Sequence, residues 1–453
     1  MKTSHFSIQP IALSLCIALM SCTEFVRIDP PRTDLIRATV FESDATAKAA
    51  VTDLYYQMST NGFASGNALS VSFLTSLSSD EQINYAVSNP EYQQFNDNVL
   101  QPNNSFVLRL WSDSYQCIYK TNAVLEGLQS SPGITQPVRN QLEGEARAIR
   151  AFCHFYLVNM FGDVPLVLTT DYQKNSSVSR SPIADVYFQI LQYLKQAEDL
   201  LLEDYSASAN ERVRINKWAV RALLARVNLY IGNWADAETY SSLVISKTGL
   251  YKLPGNLDSV FIKNSPEAIW QFHASYYPND LLTFYIFDIP SYGALRDSFV
   301  NSFDITDRRR ASWIGTIDTY FFSMKYKSFD PQAEYSTVLR LAEQYLIRAE
   351  ALANQEKAVA AQNDLNVIRV RAGLGKTAAN DKVSLLSAIG QERQKELFTE
   401  WGHRWFDLKR TNQADDALHS IKPLWTTTAA LFPIPELQIL NDNLMKGAQN
   451  PGY

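Results

Sequence analysis

Cysteine is scarce in this chain: four in 453 residues, two of them within the first 22. No CxxC pair, no HExxH and no GxSxG elbow occurs, and only five histidines are present. These gaps exclude redox-pair, zinc-protease and serine-hydrolase chemistry, each of which needs its reactive groups at fixed spacing. An excess of basic charge is also missing. Forty-one Lys and Arg stand against 47 Asp and Glu, a net charge of −6, whereas a nucleic-acid partner demands a basic face. Long apolar runs are lacking too: the stretch from Ile11 to Met20 is too short to cross a bilayer.

That short run takes its meaning from its flanks. Lys2, a brief apolar core and then small residues describe an export signal rather than a structural helix. Leu19, Met20 and Ser21 precede Cys22, and this Leu-x-small-Cys order resembles a bacterial lipobox. On that reading residues 1–21 are removed, Cys16 goes with them, and Cys22 becomes the acylated first residue. Several acyl chains suffice for a stable anchor. An ordinary secretory signal is the alternative. Cys117 and Cys153 then remain, either as buried free thiols or as a pair.

The body of the chain has helical period almost throughout. Ser43 and Asp44 are candidate caps for a helix carrying Ala47, Val51, Leu54 and Tyr55 on one face. A second is expected over about 105–129. A third starts near Pro137, carries Leu142, Ala146, Ile149, Cys153, Tyr156 and Met160, and stops at "FGDVP". Residues 182–203 form another. Ala225 and Ala237 lie twelve residues apart across the turn at Gly232-Asn233, and Ala349 and Ala361 repeat the spacing. Small residues so placed let the two helices of a tetratricopeptide hairpin approach closely. The fold class is therefore mainly α: a tetratricopeptide-like scaffold of four helix pairs with a loop-rich subdomain containing short strands. Those loops are 60–104 and 249–335, with strands expected near 267–272 and 320–329. The division is a signal peptide, 1–21; an N-terminal region, 22–248; and a C-terminal region, 249–453.

Four segments, "W..SYQCIYKTNAVLEGL" (111–128), "GEARAIRAFCHFYLVNMFGDVPLV" (144–167), "RALLARVNLYIGNWADA" (221–237) and "ERQKELFTEWGHRWFDLKRT" (392–411), together with "LFPIPELQIL" (431–440) and "QNPGY" (449–453), resemble the SusD/RagB nutrient-binding lipoproteins. The resemblance covers nearly the whole mature chain. It implies a helical scaffold with a ligand-carrying loop subdomain, a place on the outer face of the outer membrane, and a partnership with a SusC-type TonB-dependent transporter. It implies oligosaccharide or peptide ligands, no cofactor and no catalysis.

The residues themselves agree with that absence of catalysis. "GLGKT" (373–377) has Val370 where a phosphate loop needs its first glycine, and it follows a helix. Glu396, Glu400, His403, Arg404 and Asp407 read as an ion-paired helix corner rather than the paired carboxylates of a glycosidase. No metal site is expected from Asp280, Asp304 and Asp307, which lack EF-hand spacing. Sugar binding needs flat aromatic platforms flanked by in-plane polar groups. The loops supply Tyr85, Tyr92 and Asn96, then Tyr276, Tyr277, Asn279, Asp280, Tyr285 and Tyr292, and finally Trp313. Phenylalanines nearby are assigned to the core, since Tyr and Trp tolerate a wet edge. Two other functions remain open: a tetratricopeptide scaffold that binds only proteins, and a lipid-anchored glycoside hydrolase.

Overall fold

A computed structural model describes residues 39–441 and 444–453. The signal segment and Cys22 lie outside these. Twelve helices of eight residues or more occur among the described residues: α1 Asp44–Thr60, α2 Val71–Ser78, α3 Pro90–Asp97, α4 Ser105–Ser130, α5 Gln136–Phe161, α6 Ile183–Leu200, α7 Lys217–Tyr230, α8 Trp234–Ile245, α9 Leu341–Asn354, α10 Ala358–Arg371, α11 Lys382–Leu397 and α12 His403–Arg410. The chain is mainly α, as its periodicity predicts.

Neighbours in sequence are neighbours in space. Packing runs from α1 to α4, α5, α6, α7, α8, α9 and α10 in turn, with α11 laid on α9. This is the one-dimensional logic of a helical-repeat array. Ser43 caps α1 reciprocally with Thr46, Pro137 sits in the first turn of α5, and Gly162 ends α5 at a φ of +74°. Ala225, Ala237, Ala349 and Ala361 are all fully buried, at the close approaches their spacing predicts. Cys117 and Cys153 are buried free thiols on α4 and α5, and burial with a neighbouring Cys117 pushes the Cys153 thiol well up.

Eight short strands occur among the described residues: β1 Gln82–Asn84, β2 Val164–Pro165, β3 Arg180–Ser181, β4 Ala268–Phe272, β5 Gly293–Leu295, β6 Ile314–Ile317, β7 Tyr320–Ser323 and β8 Ser336–Arg340. The order β1-β5-β7-β6 makes a four-stranded sheet that joins the two insertions, with Gln82 opposite Leu295 and Asn84 opposite Gly293. β4 and β8 form a buried ribbon under the start of α9. The strand expected over 320–329 is shorter than its aromatic run, because Lys325 leaves the sheet to enter a buried ion network. The insertion 60–104 is not simply loop. It holds α2 and α3, each too short to show period, and Asn89 and Pro90 start α3. A second core, built on Phe261, Phe299, Phe303, Trp313 and Phe398, underlies the other insertion.

Candidate functional site

The carboxylates of the α11–α12 corner are spent on ion pairs. Glu396 is fully buried and accepts from Arg340 Nη1 at 2.6 Å, Arg309 Nη1 at 3.0 Å and Arg371 Nη2. These guanidiniums overcome the burial that would raise its pKa and hold it below the usual carboxylate range. Glu400 takes Arg340 Nε at 2.8 Å and Lys325 Nζ at 2.5 Å. Lys325 also donates to the carbonyls of Glu396 and Phe398, yet burial brings its pKa down to about 8. Arg404 pairs with Asp80, and Asp407 accepts from Arg393 and Arg410. His403 is buried and its pKa is pushed well down, chiefly by burial and then by surrounding guanidiniums. Every carboxylate here is committed to a cation, so the corner acts as a framework that locks β8 to α10 and α11.

The loop subdomain has a different character. Tyr277, Tyr285, Phe287 and Phe329 form a connected group of rings. Phe329 lies 5.8 Å from Tyr277, 5.5 Å from Tyr285 and 5.4 Å from Phe287, edge-on or tilted. Tyr285 rests on Phe322 of β7 at 4.8 Å. Two residues back along β7, on the same face, Tyr320 meets Tyr85 at 5.2 Å. The result is an aromatic arc running from Tyr85 along β7 to Tyr277. Phe287 is 61 % exposed, Phe329 42 % and neighbouring Tyr276 66 %, values far above those of core rings.

At the Tyr276 end the arc adjoins a cavity of about 210 Å³ lined by Ser59, Thr60, Ser65, His273, Asn279 and Ser336 among others. The Asn279 amide donates to the carbonyls of Ser59 and Ser65, at 3.0 and 2.9 Å, so only its oxygen is left for a ligand. The mixture of rings and small hydroxyl or amide groups suits a polyol, which presents C–H faces and hydroxyls together.

The structure brings Tyr85, Tyr276, Tyr277, Asn279 and Tyr285 to this surface and removes five other expected residues from it. Trp313 is fully enclosed: its ring packs on Phe261 at 5.6 Å, and its Nε1 donates to the Leu257 carbonyl at 3.2 Å. A ring closed in on every side offers no stacking face. Tyr92 is buried against Phe73, Phe106 and Tyr292, and Tyr292 is itself packed on Phe73. Asn96 is buried and receives the Asn84 backbone N–H at 3.1 Å, supporting β1. Asp280 is buried and accepts from Ser336 Oγ at 2.5 Å, so it is a strut below the cavity. Burial raises its pKa to about 6 against the weaker opposing effect of the Ser336 hydroxyl. Asp304 caps its own turn through Thr306, and Asp307 is salt-bridged to Arg309.

Phe287 and Phe329 join the surface although residue type assigns phenylalanine to the core, and Tyr320 joins it from β7. The signal for the first two is local: each stands next to an aspartate, "IFDIP" and "SFDP", in a segment without apolar period.

Comparison with known proteins agrees with this architecture. Residues 36–229 match a family model described as starch-binding associating with outer membrane, and residues 299–453 match the model of the SusD family. SusD-like protein P25 of Formosa agariphila is 23% identical over 97% of this chain and 98% of its own length. A laminarin-binding SusD-like protein of known structure superposes with a TM-score of 0.74 at 25% identity, over 91% of this chain and all of its own. Surface glycan-binding protein A from Bacteroides thetaiotaomicron, in complex with laminarihexaose, shares the fold with a TM-score of 0.75 at 19% identity, over 90% and 99% of the two chains. The helical hairpins, the inserted aromatic loops and these matches along both halves establish that the chain belongs to the SusD/RagB family.

Proposed function

We propose that this protein is a non-catalytic surface glycan-binding protein. It holds an oligosaccharide on the arc Tyr85–Tyr320–Tyr285–Phe287–Phe329–Tyr277 and hands it to a SusC-type TonB-dependent transporter for which it serves as lid, tethered to the outer membrane through Cys22. The exposed, contiguous rings beside a hydroxyl-lined cavity carry this reading. A scaffold that binds only proteins would keep those loops folded onto the helices, and a hydrolase would need free carboxylates where this chain has ion pairs. The laminarin-binding relative supports sugar over peptide. Three or four rings at about 1–1.5 kcal/mol each correspond to roughly millimolar to micromolar affinity, enough for a lid at high local concentration.

Isothermal titration against a panel of neutral oligosaccharides and peptides tests the ligand class. Saturable binding of a glycan, lost on Phe287→Ala with Phe329→Ala, is expected. Peptide binding with no response to any sugar overturns the glycan assignment. Co-purification with a TonB-dependent barrel tests the partner separately.

A further inference from the structure

A second cavity, of about 340 Å³, lies in the seam between α1 and α4, and it shares no residue with the aromatic arc or the cavity beside it. Its floor is apolar and buried, built on Leu54, Met58 and Phe63. Its walls are polar. Arg109, Asp113, Gln116 and Lys120 of α4 line it at steps of four, three and four, the period of a helix face turned toward a neighbour. Asp53 and Gln57 face them from α1, and Asn61 and Gly62 close one end. Apolar residues at such seam positions would pack the two helices together; these leave the space open.

One wall satisfies itself. Lys120 Nζ reaches Asp53 at 3.4 Å and contacts the Gln57 side-chain oxygen, while the Gln57 amide donates to Asp53 at 2.7 Å. The other wall is left short of partners. The Asp113 side chain is only 21 % exposed, and burial raises its pKa above the usual carboxylate value. Its ionic contact is Arg109 Nε at 3.5 Å, longer than a good hydrogen bond. Arg109 is itself 45 % exposed, and its Nη groups are uncommitted among the described residues. Gly62 brings the chain against this carboxylate: at its φ of +92° an added Cβ would stand 3.2 Å from Asp113 Cβ. The Tyr56 ring, 57 % exposed, forms a flat flank and stacks on no other ring among the described residues.

We infer that this cavity is a second ligand site and that it takes a neutral hexose unit, bound through two adjacent hydroxyls. A carboxylate only accepts hydrogen bonds and a guanidinium only donates them, whereas a hydroxyl does both. Vicinal hydroxyls therefore complete Asp113 and Arg109 together, with the C–H face of the sugar ring on the apolar floor or on Tyr56. Asp53 and Asp113 stand against Arg109 and Lys120, and each of the four has its ion partner within the set, so the cavity carries no net charge. That balance selects neither an anion nor a cation, and opposite charges already in contact leave no bare poles for a zwitterion. The volume lies at the lower end of the range for small-molecule sites, roughly 300–1,000 Å³. The assignment rests on this cavity's own residues, whatever ligand the arc holds.

Saturation-transfer difference NMR with the methyl glycosides of glucose, galactose and mannose, and with serine as a zwitterion, tests it. The protein carries Phe287→Ala and Phe329→Ala, so that the arc is disabled and the cavity is read alone. Saturable binding of at least one glycoside, in the roughly millimolar range for a ligand of this size, is expected, with none by serine. Asp113→Ala removes the under-partnered acceptor and should weaken that binding at least tenfold without lowering Tm. Gln116→Trp, at an exposed position of α4, fills the cavity and should weaken it as much, which keeps the test decisive if Asp113→Ala folds poorly. Saturable binding by none of the glycosides, binding of serine in preference to them, or undiminished binding in both variants overturns it. None of these results bears on the arc's own titration, so the two assignments fail separately.

Discussion

Replacing Asp280 with asparagine should stabilise the protein at neutral pH and bring no gain at acid pH. The Asp280 carboxyl is buried, its neutralising contacts are limited to the Ser336 hydroxyl and its own backbone N–H, and Glu400 adds a repulsive charge. Its pKa rises from 3.8 to about 6 on folding. A carboxyl whose folded pKa is raised binds its proton more tightly in the folded state. Its favourable contribution is therefore complete below about pH 4 and is lost as pH climbs through 6. The difference corresponds to about 3 kcal/mol against the charged form at pH 7.5. Asparagine keeps an acceptor for Ser336 without the charge, but its amide N–H2 needs a partner in a tight site, so the net gain should fall between about 1 and 3 kcal/mol. Urea unfolding followed by tryptophan fluorescence, wild type against Asp280→Asn at pH 4, 5.5 and 7.5, measures this directly. A stability difference that is flat across the three pH values would refute the reasoning, as would loss of stability at pH 7.5.

The packing dictates three further outcomes. Gly66→Ala forces a side chain into a φ of +75° and places its Cβ 2.3 Å from the Asp280 carboxylate, and should cost about 2 kcal/mol or more in the same urea assay. Arg226 and Glu343 form a fully buried two-bond pair at 2.6 and 2.7 Å, so Arg226→Met alone should cost about 3–5 kcal/mol, most of it recovered by adding Glu343→Leu. Trp313→Ala should lower stability by about 3–5 kcal/mol yet leave oligosaccharide affinity within about twofold, because the ring lies inside the second core and not on the arc; calorimetry and urea unfolding together check both halves.

The scaffold was largely legible because long helices repeat their apolar face many times. Leu142 through Met160 recur over about five turns of α5, and two alanine pairs at a twelve-residue spacing mark where hairpins close. The loop subdomain offered no such redundancy. α2 and α3 last about two turns each, and β1 depends on partners from the other insertion, which local pattern cannot reveal. The site was half legible for a related reason. Residue type separates platform from core only on average, and here tertiary packing reversed the average: Trp313 found a carbonyl for its indole and sank, while Phe287 and Phe329, held in loops beside aspartates, stayed at the surface. The ion network was readable as a helix corner, but Arg340, Lys325, Arg309 and Arg371, brought in from four separate stretches, were not.

The four-stranded sheet has a consequence for biogenesis. Its first strand, 82–84, pairs with 293–295, so a chain that emerges amino terminus first carries an unmatched edge until two-thirds of it has appeared. Pairings this remote in sequence form slowly, and open edges invite association with other chains. The helical array preceding 249 can assemble as it is delivered, but the rings of the aromatic arc take their places only when the second insertion arrives. Completion of the aromatic arc is thus a late event in folding, and a chain cut short anywhere before residue 293 would expose an edge prone to aggregate while lacking the strands on which the proposed binding surface is built.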